Sequence, residues 1–393
     1  MRLTIVSRIY RPEPSAASLF LGAVADAMLA DGHRVDVITA ALPKQARREH
    51  REEHREAHRG ERVRTFPVLR DRNGYVRGIL QYLSFDLPLF FRLLFARRAD
   101  VVLVEPPPTT GAMVRVVCAL RRMPYVYNAA DVWSDAAQLE PTSGLIVRLL
   151  RVVEGFALRG ATRIVTISRG VEGRLRSFGV RRPITVSGFG AATHEFPLAV
   201  ADPQRLFVYA GSYAPAHGAE ILVDALADFL QTHPGYTLRF VGNGVERPLV
   251  EARAAERGVS AHVEYLDPVP PRDLLPHLGA AVASLATIKS DSVYEYAYAS
   301  KIFSSLSAGC PVIFAGPGPT NAVINAANEA VRAGLTADYE PRAIADAMRA
   351  MADRPPSADE RAALSEWTAG HHSIESVARQ VGEALVSAVR SRS

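Results

Sequence analysis

The sequence predicts an α/β protein with two doubly wound parallel sheets. Short runs of β-branched residues alternate with helical patterns along most of the chain, which is typical of βαβ units. The alternation forms two series, separated by a polar, proline-bearing stretch at residues 197–204. A length of 393 residues suits two domains of roughly 150 to 200 residues each. We therefore expect an amino-terminal domain over residues 1–197 and a second domain over residues 205–370.

The first series starts at the beginning of the chain. A strand at residues 3–6 precedes a helix from about Ser15, which Gly32 ends. Phe20, Val24 and Met28 share one face of that helix, at the spacing of an amphipathic helix. Further strands are predicted at residues 35–39, 101–104, 125–127 and 164–167.

The second series follows the polar stretch. In residues 300–318 an apolar-faced helix reaches Gly309 and passes directly into a buried strand. The last helix, residues 373–390, has an apolar face at helical spacing and is long enough to return to the first domain. Strands are predicted at residues 207–209, 238–241, 263–265, 281–285 and 312–314.

Composition limits the class of protein. The only cysteines, Cys118 and Cys310, are far apart in sequence, so a reducing cytoplasmic compartment without disulfides is expected. The net charge of +5 is spread over scattered arginines without aromatic-interleaved basic motifs, which argues against nucleic acid as a partner. A strand at the first residues leaves no room for a signal peptide. The apolar run at residues 79–95 contains Asp86 and Arg92, which favours an interfacial helix at the inner membrane face over a spanning one.

Residues 46–64 break the α/β pattern because they are almost all charged. We expect a loop or an exposed helix there. His50, His54 and His58 would share one face of such a helix, an arrangement that can hold a metal. Since nothing in the sequence supplies an ordered second shell of partners, a solvated face is the preferred interpretation and no metal site is predicted.

Candidate ligand-binding loops follow the predicted strands, because ligands of parallel sheets bind beyond the carboxyl ends of the strands. Small residues at 210–218 and the triplet Gly242, Asn243 and Gly244 would let backbone N–H groups approach a phosphate. A polar run at residues 289–301 leads into the helix before Gly309. Asn128 and Asp131 follow the strand at 125–127, although Asp131 is also a candidate helix N-cap.

Together these motifs resemble the GT-B glycosyltransferases of the retaining family 4, in the branch that builds surface polysaccharides and lipid-linked sugars. The resemblance follows the chain in order and covers nearly all of it. It rests on the segments at residues 10–13, 31–35, 105–108, 131–133, 240–244 and 308–313.

The resemblance implies two Rossmann-like domains facing a central cleft, with the acceptor mainly in the first and the nucleotide-sugar in the second. It also implies metal-independent transfer with retained anomeric configuration, without a cofactor, in which the departing diphosphate helps to deprotonate the acceptor. Cations and helix N-termini should then surround the diphosphate, where charge develops. The donor-binding positions implied are Gly211, Ser212, His217, Gly242, Asn243, Gly244, Glu295, Ser300 and Ser304.

Several of these positions depart from the family pattern. Ser212 and His217 stand where the family usually has Arg and Lys. His217 can still hydrogen-bond a phosphate, either protonated or as a neutral donor. Lys301 is then the best remaining fixed charge and a candidate catalytic residue, whereas Lys289 is a weaker candidate.

The two family glutamates fall on Tyr296 and Ser304. Ser304 can accept or donate a hydrogen bond with ribose hydroxyls, or it is a small packing residue like its neighbours. Glu295 would contact donor-sugar hydroxyls if the loop shifts by one residue. In the first domain Asn128 and Asp131 are the polar residues nearest to the missing cleft histidine and are candidate catalytic residues.

The sequence thus favours a transferase that moves a sugar, UDP-linked by preference, to an acceptor hydroxyl or amine on a small molecule, glycan or lipid-linked precursor. Two alternatives stay open. One is a catalytically impaired GT-B protein that binds partners in glycan assembly, and the other is a nucleotide-sugar epimerase, since fold does not fix reaction.

Overall fold

A computed structural model describes residues 1–13, 15–42, 60–71, 76, 78–137, 143–290 and 295–391. The chain forms two compact units, Met1–Gly188 with Ile374–Ser393 and Phe189–Ser373. Each unit has its own parallel sheet, so the predicted α/β class is confirmed. The polar stretch at residues 197–204 lies within the second unit.

The first unit contains a seven-stranded parallel sheet in the order β3-β2-β1-β4-β5-β6-β7. Its central strands are buried on both faces, which explains their continuous apolar character. The strands are β1 (Arg2–Val6), β2 (Arg34–Ala40), β3 (Arg62–Phe66), β4 (Val101–Val104), β5 (Tyr125–Ala129), β6 (Arg163–Thr166) and β7 (Ile184–Val186).

Helices flank this sheet. The helices are α1 (Ala16–Ala30), α2 (Ile79–Leu94), α3 (Pro108–Leu120), α4 (Trp133–Ala136), α5 (Gly144–Gly160), α6 (Arg169–Arg176) and, from the end of the chain, α14 (Ile374–Arg390). The Ser15 hydroxyl caps α1 by accepting the Ser18 N–H at 3.0 Å. Met28 of α1 and Val381 and Leu385 of α14 lie in one core cluster with β1, so the last helix belongs to the first unit.

The second unit contains a six-stranded parallel sheet in the order β10-β9-β8-β11-β12-β13. Its strands are β8 (Leu206–Ala210), β9 (Thr237–Val241), β10 (Val263–Leu266), β11 (Ala283–Thr287), β12 (Val312–Ala315) and β13 (Gly334–Ala337). Its helices are α7 (Ile221–Leu230), α8 (Arg247–Glu256), α9 (Pro271–Ala280), α10 (Lys301–Ser307), α11 (Pro319–Asn328), α12 (Pro341–Asp353) and α13 (Ala358–His371), with a 3₁₀ turn at Ser260–His262.

The charged segment at residues 46–64 differs from the prediction at its carboxyl end. Residues 62–64 belong to edge strand β3 and pair with β2. The Glu61 carboxylate is buried and accepts hydrogen bonds from the Tyr10 hydroxyl at 3.0 Å and Arg11 Nε at 2.8 Å. Pairing with Arg11 offsets the free-energy cost of burying the Glu61 carboxylate. A hydropathy pattern does not contain this pairing, so it could not predict the buried acid. His50, His54 and His58 lie outside the described residues.

Each sheet has one point where the strand order reverses, between β1 and β4 in the first unit and between β8 and β11 in the second. Loops that leave neighbouring strands in opposite directions open a crevice at such a point, where ligands of this fold class bind. None of the helices in the described ranges is long and apolar enough to cross a membrane.

Candidate functional site

In the second unit, the loops after β8 and β9 pack directly on each other. Gly211 has φ +153° and its N–H donates to the Val241 carbonyl at 2.9 Å. Gly242 has φ +148°, and a Cβ at this position would collide with the Gly211 carbonyl oxygen. Only glycine combines this backbone conformation with such a close approach. The two loops therefore form one rigid backbone surface beyond the strand ends.

Asn243 and Gly244 continue this contact. The Tyr213 N–H donates to the Asn243 carbonyl at 3.2 Å, and a Cβ on Gly244 would lie 2.6 Å from the Tyr213 backbone. The Asn243 side-chain oxygen accepts the Gly244 N–H at 2.7 Å. The sequence interpretation gave these small residues the role of admitting a phosphate. The structure shows that they hold the two loops together.

Lys301, the first residue of α10, lies beside the Gly211 loop. Its Cε is 2.7 Å from the place of a Cβ on Gly211, and its Nζ is 4.7 Å from the centroid of the Tyr209 ring. This is cation–π geometry. Burial lowers the pKa of Lys301 to about 7, and no carboxylate in the described ranges forms an ion pair with it. An anion bound here would favour the protonated form.

His217 lies in the same loop and is held in one tautomer. Its Nδ1 is 2.9 Å from the Ser212 carbonyl oxygen, which also accepts the Tyr209 hydroxyl at 2.8 Å. A carbonyl only accepts, so Nδ1 carries the proton and the neutral ring presents Nε2 as an acceptor. Burial and, to a lesser extent, Lys301 together lower the pKa of His217 to about 4, although the Ser212 hydrogen bond opposes both. In this tautomer the neutral ring has no free N–H for a phosphate, so donation from Nε2 to a phosphate would need the protonated ring.

Lys289 is less available than Lys301. Its Nζ lies 3.6 Å from a Glu220 carboxylate oxygen, and its side chain is partly exposed. Its backbone N–H donates to the Ala216 carbonyl at 2.9 Å, which joins the loop after β11 to the loop after β8. The residue thus has a structural contact and a compensated charge.

The serines of α10 divide into two groups. Ser305 and Ser307 are buried and donate to the carbonyls of Lys301 at 3.3 Å and Phe196 at 2.6 Å, as the packing interpretation predicted for them. Ser304 is partly exposed, and Ser300 is the exposed residue preceding the helix. Glu295 is partly exposed and its carbonyl approaches Gly318 at the start of α11.

The first unit has a second polar cluster, beyond the ends of β4 and β5. Asn128 Nδ2 donates to Glu105 Oε2 at 2.5 Å. Burial, with a smaller contribution from the nearby Asp131, raises the pKa of Glu105 to about 7, although the Asn128 hydrogen bond opposes the shift. Burial also raises the pKa of Asp131. Two carboxyl groups close together and poorly solvated can hold and release a proton near neutral pH.

Asp131 is not the cap of the helix that follows it. The N-cap of α4 is Val132, and the helix N–H groups of Trp133 and Ser134 donate to the buried carboxylate of Glu154 at 2.7 and 3.0 Å. The N-cap interpretation is therefore wrong, since the carboxylate of Glu154 in α5, and not that of Asp131, accepts the first N–H groups of α4. Asp131 has no hydrogen bond from a side chain among the described residues.

Arg8 completes the cluster, and the sequence interpretation missed it. Its guanidinium is buried, lies 4.3 Å from the centroid of the Tyr82 ring and donates to the Val76 carbonyl at 2.6 Å. Burial lowers the pKa of Arg8, while the charges of Asp86 and Glu105 are among the influences that raise it. Arg8 and Glu105 follow β1 and β4, the strands at the order reversal. Their position after the two strands at the order reversal is the sequence signal that could have identified both residues.

Comparisons with known proteins agree with this architecture. The chain matches the glycosyl transferase 4-like domain over residues 17–190 and the glycosyl transferases group 1 domain over residues 191–367. The sheets, the loops beyond their reversal points and these two matches define a GT-B glycosyltransferase. Within that class, the chain belongs to family 4.

Individual relatives are more distant. A D-inositol 3-phosphate glycosyltransferase of Nocardia farcinica is 33% identical over 171 residues, which cover 41% of this chain and only 35% of that protein. The sucrose-phosphate synthase of Thermosynechococcus elongatus has a TM-score of 0.73 at 17% identity, with both chains fully covered. Anabaena HepE in complex with UDP and glucose has a TM-score of 0.70 at 18% identity, covering 98% of this chain and 100% of that one. At these identities the structural matches define the fold alone.

Proposed function

We propose that this protein transfers a hexosyl or N-acetylhexosaminyl group from a nucleotide diphosphate to an acceptor hydroxyl or amine, with retention of configuration. The acceptor is a small molecule, a glycan or a lipid-linked precursor. A UDP-sugar is the favoured donor because HepE was solved with UDP and glucose. The observation that carries the proposal is the Lys301 ammonium beside the Gly211 loop, without an ion-pair partner among the described residues.

On the donor side, the diphosphate binds against the loop backbone and Lys301. Because burial depresses the pKa of this lysine to about 7, the arriving diphosphate draws a proton onto it and gains a full charge partner. The positive charge of Lys301 stabilises the negative charge that develops on the diphosphate as the glycosidic bond breaks. Transfer is therefore proposed to need neither a metal ion nor a cofactor. His217 Nε2 accepts a hydrogen bond from a donor hydroxyl.

On the acceptor side, Asp131 accepts a hydrogen bond from the reacting hydroxyl or amine and orients it. Asn128 fixes the Glu105 carboxyl through the 2.5 Å hydrogen bond. In the proposed retaining reaction, the departing diphosphate takes the acceptor proton, so these groups position the acceptor rather than remove its proton outright.

The replaced residues favour one alternative. Ser212, His217, Tyr296 and Ser304 occupy positions where the family usually has charged groups. A protein that binds nucleotide-sugar weakly and serves as a partner in glycan assembly would also carry such replacements.

Calorimetric titration with UDP, GDP and dTDP sugars tests the proposal. We expect saturable binding of one nucleotide series by the wild type and at least about tenfold weaker binding by Lys301→Met, because a charge-assisted contact contributes about 1.5 to 3 kcal/mol. Absence of binding across the panel would contradict transferase activity. An epimerase would interconvert free nucleotide-sugar without acceptor, which chromatography of the incubated donor detects.

A further inference from the structure

Three neighbouring helices of the first unit expose apolar side chains. Helix α3 lies between α2 and α5 and packs against both. On α5, Leu145, Leu149, Val152 and Phe156 recur at helical spacing, and Leu145 is 77% exposed. The exposed apolar residues of the other two helices are Ile79, Leu80, Leu83, Leu87 and Phe91 on α2 and Val116 and Leu120 on α3. We call the outward residues of these helices the three-helix face.

The three-helix face is not an unfinished part of the core. Each helix has a separate buried side that includes Leu89 and Leu93 on α2, Val114 and Val117 on α3, and Leu158 on α5. The outward apolar residues therefore lie outside the buried core of the unit. Contiguous exposed apolar surface on this scale marks a place of interaction rather than ordinary surface variation.

The charge on the three-helix face has a single sign. The only acids of α2, α3 and α5, Asp86 and Glu154, are buried, with exposed fractions of 0% and 2%. The basic residues are Arg92, Arg115, Arg148, Arg151 and Arg159, all exposed except the partly buried Arg115. None of them forms an ion pair with a described carboxylate. Arg115 and Arg159 donate to the carbonyls of Phe156 and Phe178, and the guanidinium groups of Arg92 and Arg151 lie over the rings of Phe66 and Phe178, so Arg148 has no such contact within the described part of the chain. Arginines Arg97, Arg98, Arg121 and Arg122 follow α2 and α3 directly.

We propose that the three-helix face docks the protein on an anionic lipid bilayer, with α2, α3 and α5 lying in the plane of the interface. The apolar side chains enter the boundary between headgroups and acyl chains. The arginines reach the lipid phosphates, since long basic side chains keep their charge in the headgroup layer while their stems lie along apolar surface. Burial of Asp86 and Glu154 removes the repulsion that exposed acids would cause.

Charge complementarity selects this occupant over a protein surface. A surface of leucine, phenylalanine and arginine, with no exposed acid on its three helices, repels a second copy of itself brought face to face. Anionic lipid headgroups are mobile, so their phosphates can pair with arginines at irregular positions without a matched arrangement of partner groups. The proposal depends on neither the donor nor the acceptor of the reaction.

Vesicle co-sedimentation of the full chain tests this docking. The wild type should bind vesicles of phosphatidylcholine with about a third phosphatidylglycerol, and bind pure phosphatidylcholine at least about tenfold more weakly. Two double variants, Leu149→Asp with Phe91→Asp and Arg148→Glu with Arg151→Glu, should each weaken binding to anionic vesicles by about tenfold or more. Raising the salt concentration should affect the wild type more than the arginine variant.

Val245→Asp is the matched control, because Val245 is 78% exposed and lies in the second unit. It should bind vesicles like the wild type, and circular dichroism should show that all variants fold. Equal binding by the wild type and both double variants would overturn the proposal, as would failure of the wild type to bind anionic vesicles. A dimer that the double variants dissociate, without vesicle binding, would instead assign the face to a second copy. Nucleotide affinity, measured in parallel, separates these outcomes from failure of the proposed transferase.

Discussion

The loops beyond the first sheet carry partly buried acids near one arginine, whereas the loops beyond the second carry glycines, one lysine and one neutral histidine. Both groups lie where the strand order reverses, and burial shifts the pKa values of their ionisable groups in both. Glu105 in the first and Lys301 in the second both have pKa values of about 7, reached from opposite directions. The same topology therefore supplies a site suited to neutral or cationic groups and a site suited to an anion.

The comparison shows that main-chain contacts shape the site in the second unit, whereas side-chain contacts shape the site in the first. In the second unit, Gly211 and Gly242 meet at a distance that no side chain allows, so the site is shaped by main chain. In the first unit, the Glu105 and Asn128 side chains hydrogen-bond each other and Arg8 lies against Tyr82. A glycine variant in the second site should therefore act through backbone strain, whereas variants of Lys301 there and of the acids in the first site should act through charge.

The largest expected effect comes from Gly242→Val. The new side chain would collide with the Gly211 carbonyl and would have to adopt φ near +148°. Strain and displacement of the loop should weaken nucleotide binding by about 100-fold or more, since such strain costs roughly 1 to 3 kcal/mol before the collision is counted. Calorimetry with UDP measures the effect.

Gly258→Ala is the control for Gly242→Val. Gly258 also has a positive φ, +69°, but a Cβ there meets nothing within 4 Å. It should lower the stability of the second unit slightly and leave UDP affinity within about twofold. If both variants lose UDP affinity equally, general destabilisation rather than loop geometry explains the loss.

A smaller effect, and a dependence on pH, is expected from Lys301→Met. If the protonated lysine binds the diphosphate as proposed, wild-type UDP affinity should fall as pH rises from 7 to about 9, because the free protein loses the charge through its pKa of about 7. Lys301→Met should bind about tenfold more weakly at pH 7 and show no such fall. Neighbouring His217 and Tyr209 do not titrate in this window, since the pKa of His217 is lowered to about 4 and that of Tyr209 is raised.

Isothermal titrations at several pH values, in buffers of matched ionic strength, measure this dependence. A parallel fall of affinity in wild type and Lys301→Met would assign the titration to another group and remove Lys301 from the anion site.

The smallest effect on nucleotide affinity should come from Asp131→Asn. UDP affinity should stay within about twofold, while turnover falls by about tenfold or more, because the proposed acceptor contact loses a charged hydrogen-bond partner worth roughly 1.5 to 3 kcal/mol. Glu154→Gln in α5 is the control, since it weakens the cap of α4, the helix that follows Asp131, and should lower the unfolding temperature more than Asp131→Asn does. Equal losses of UDP affinity and turnover in Asp131→Asn would contradict the assignment of nucleotide binding to the second unit and acceptor positioning to the first.

Much of this arrangement was predictable from the sequence. Alternation of apolar strands with amphipathic helices predicted the two parallel sheets, because a strand covered on both faces must be apolar throughout. The motif order predicted the family, and the position of Lys301 after β11 made it a candidate. The edge strand β3 was not predictable, because its charged residues are held by pairing with β2 and by the burial of Glu61 against Arg11.

By itself the sequence determined the fold class and the loops in which the candidate residues lie, since both follow from local periodicity and from the rule that ligands bind beyond strand ends. Only the tertiary structure decided which tautomer His217 adopts, that Glu154 rather than Asp131 caps α4, and that Arg8 joins the acids. These outcomes depend on atoms brought together from distant parts of the chain. Burial then sets the charge of Lys301 and Glu105, and burial is a property of the packed molecule that spacing along a sequence does not encode.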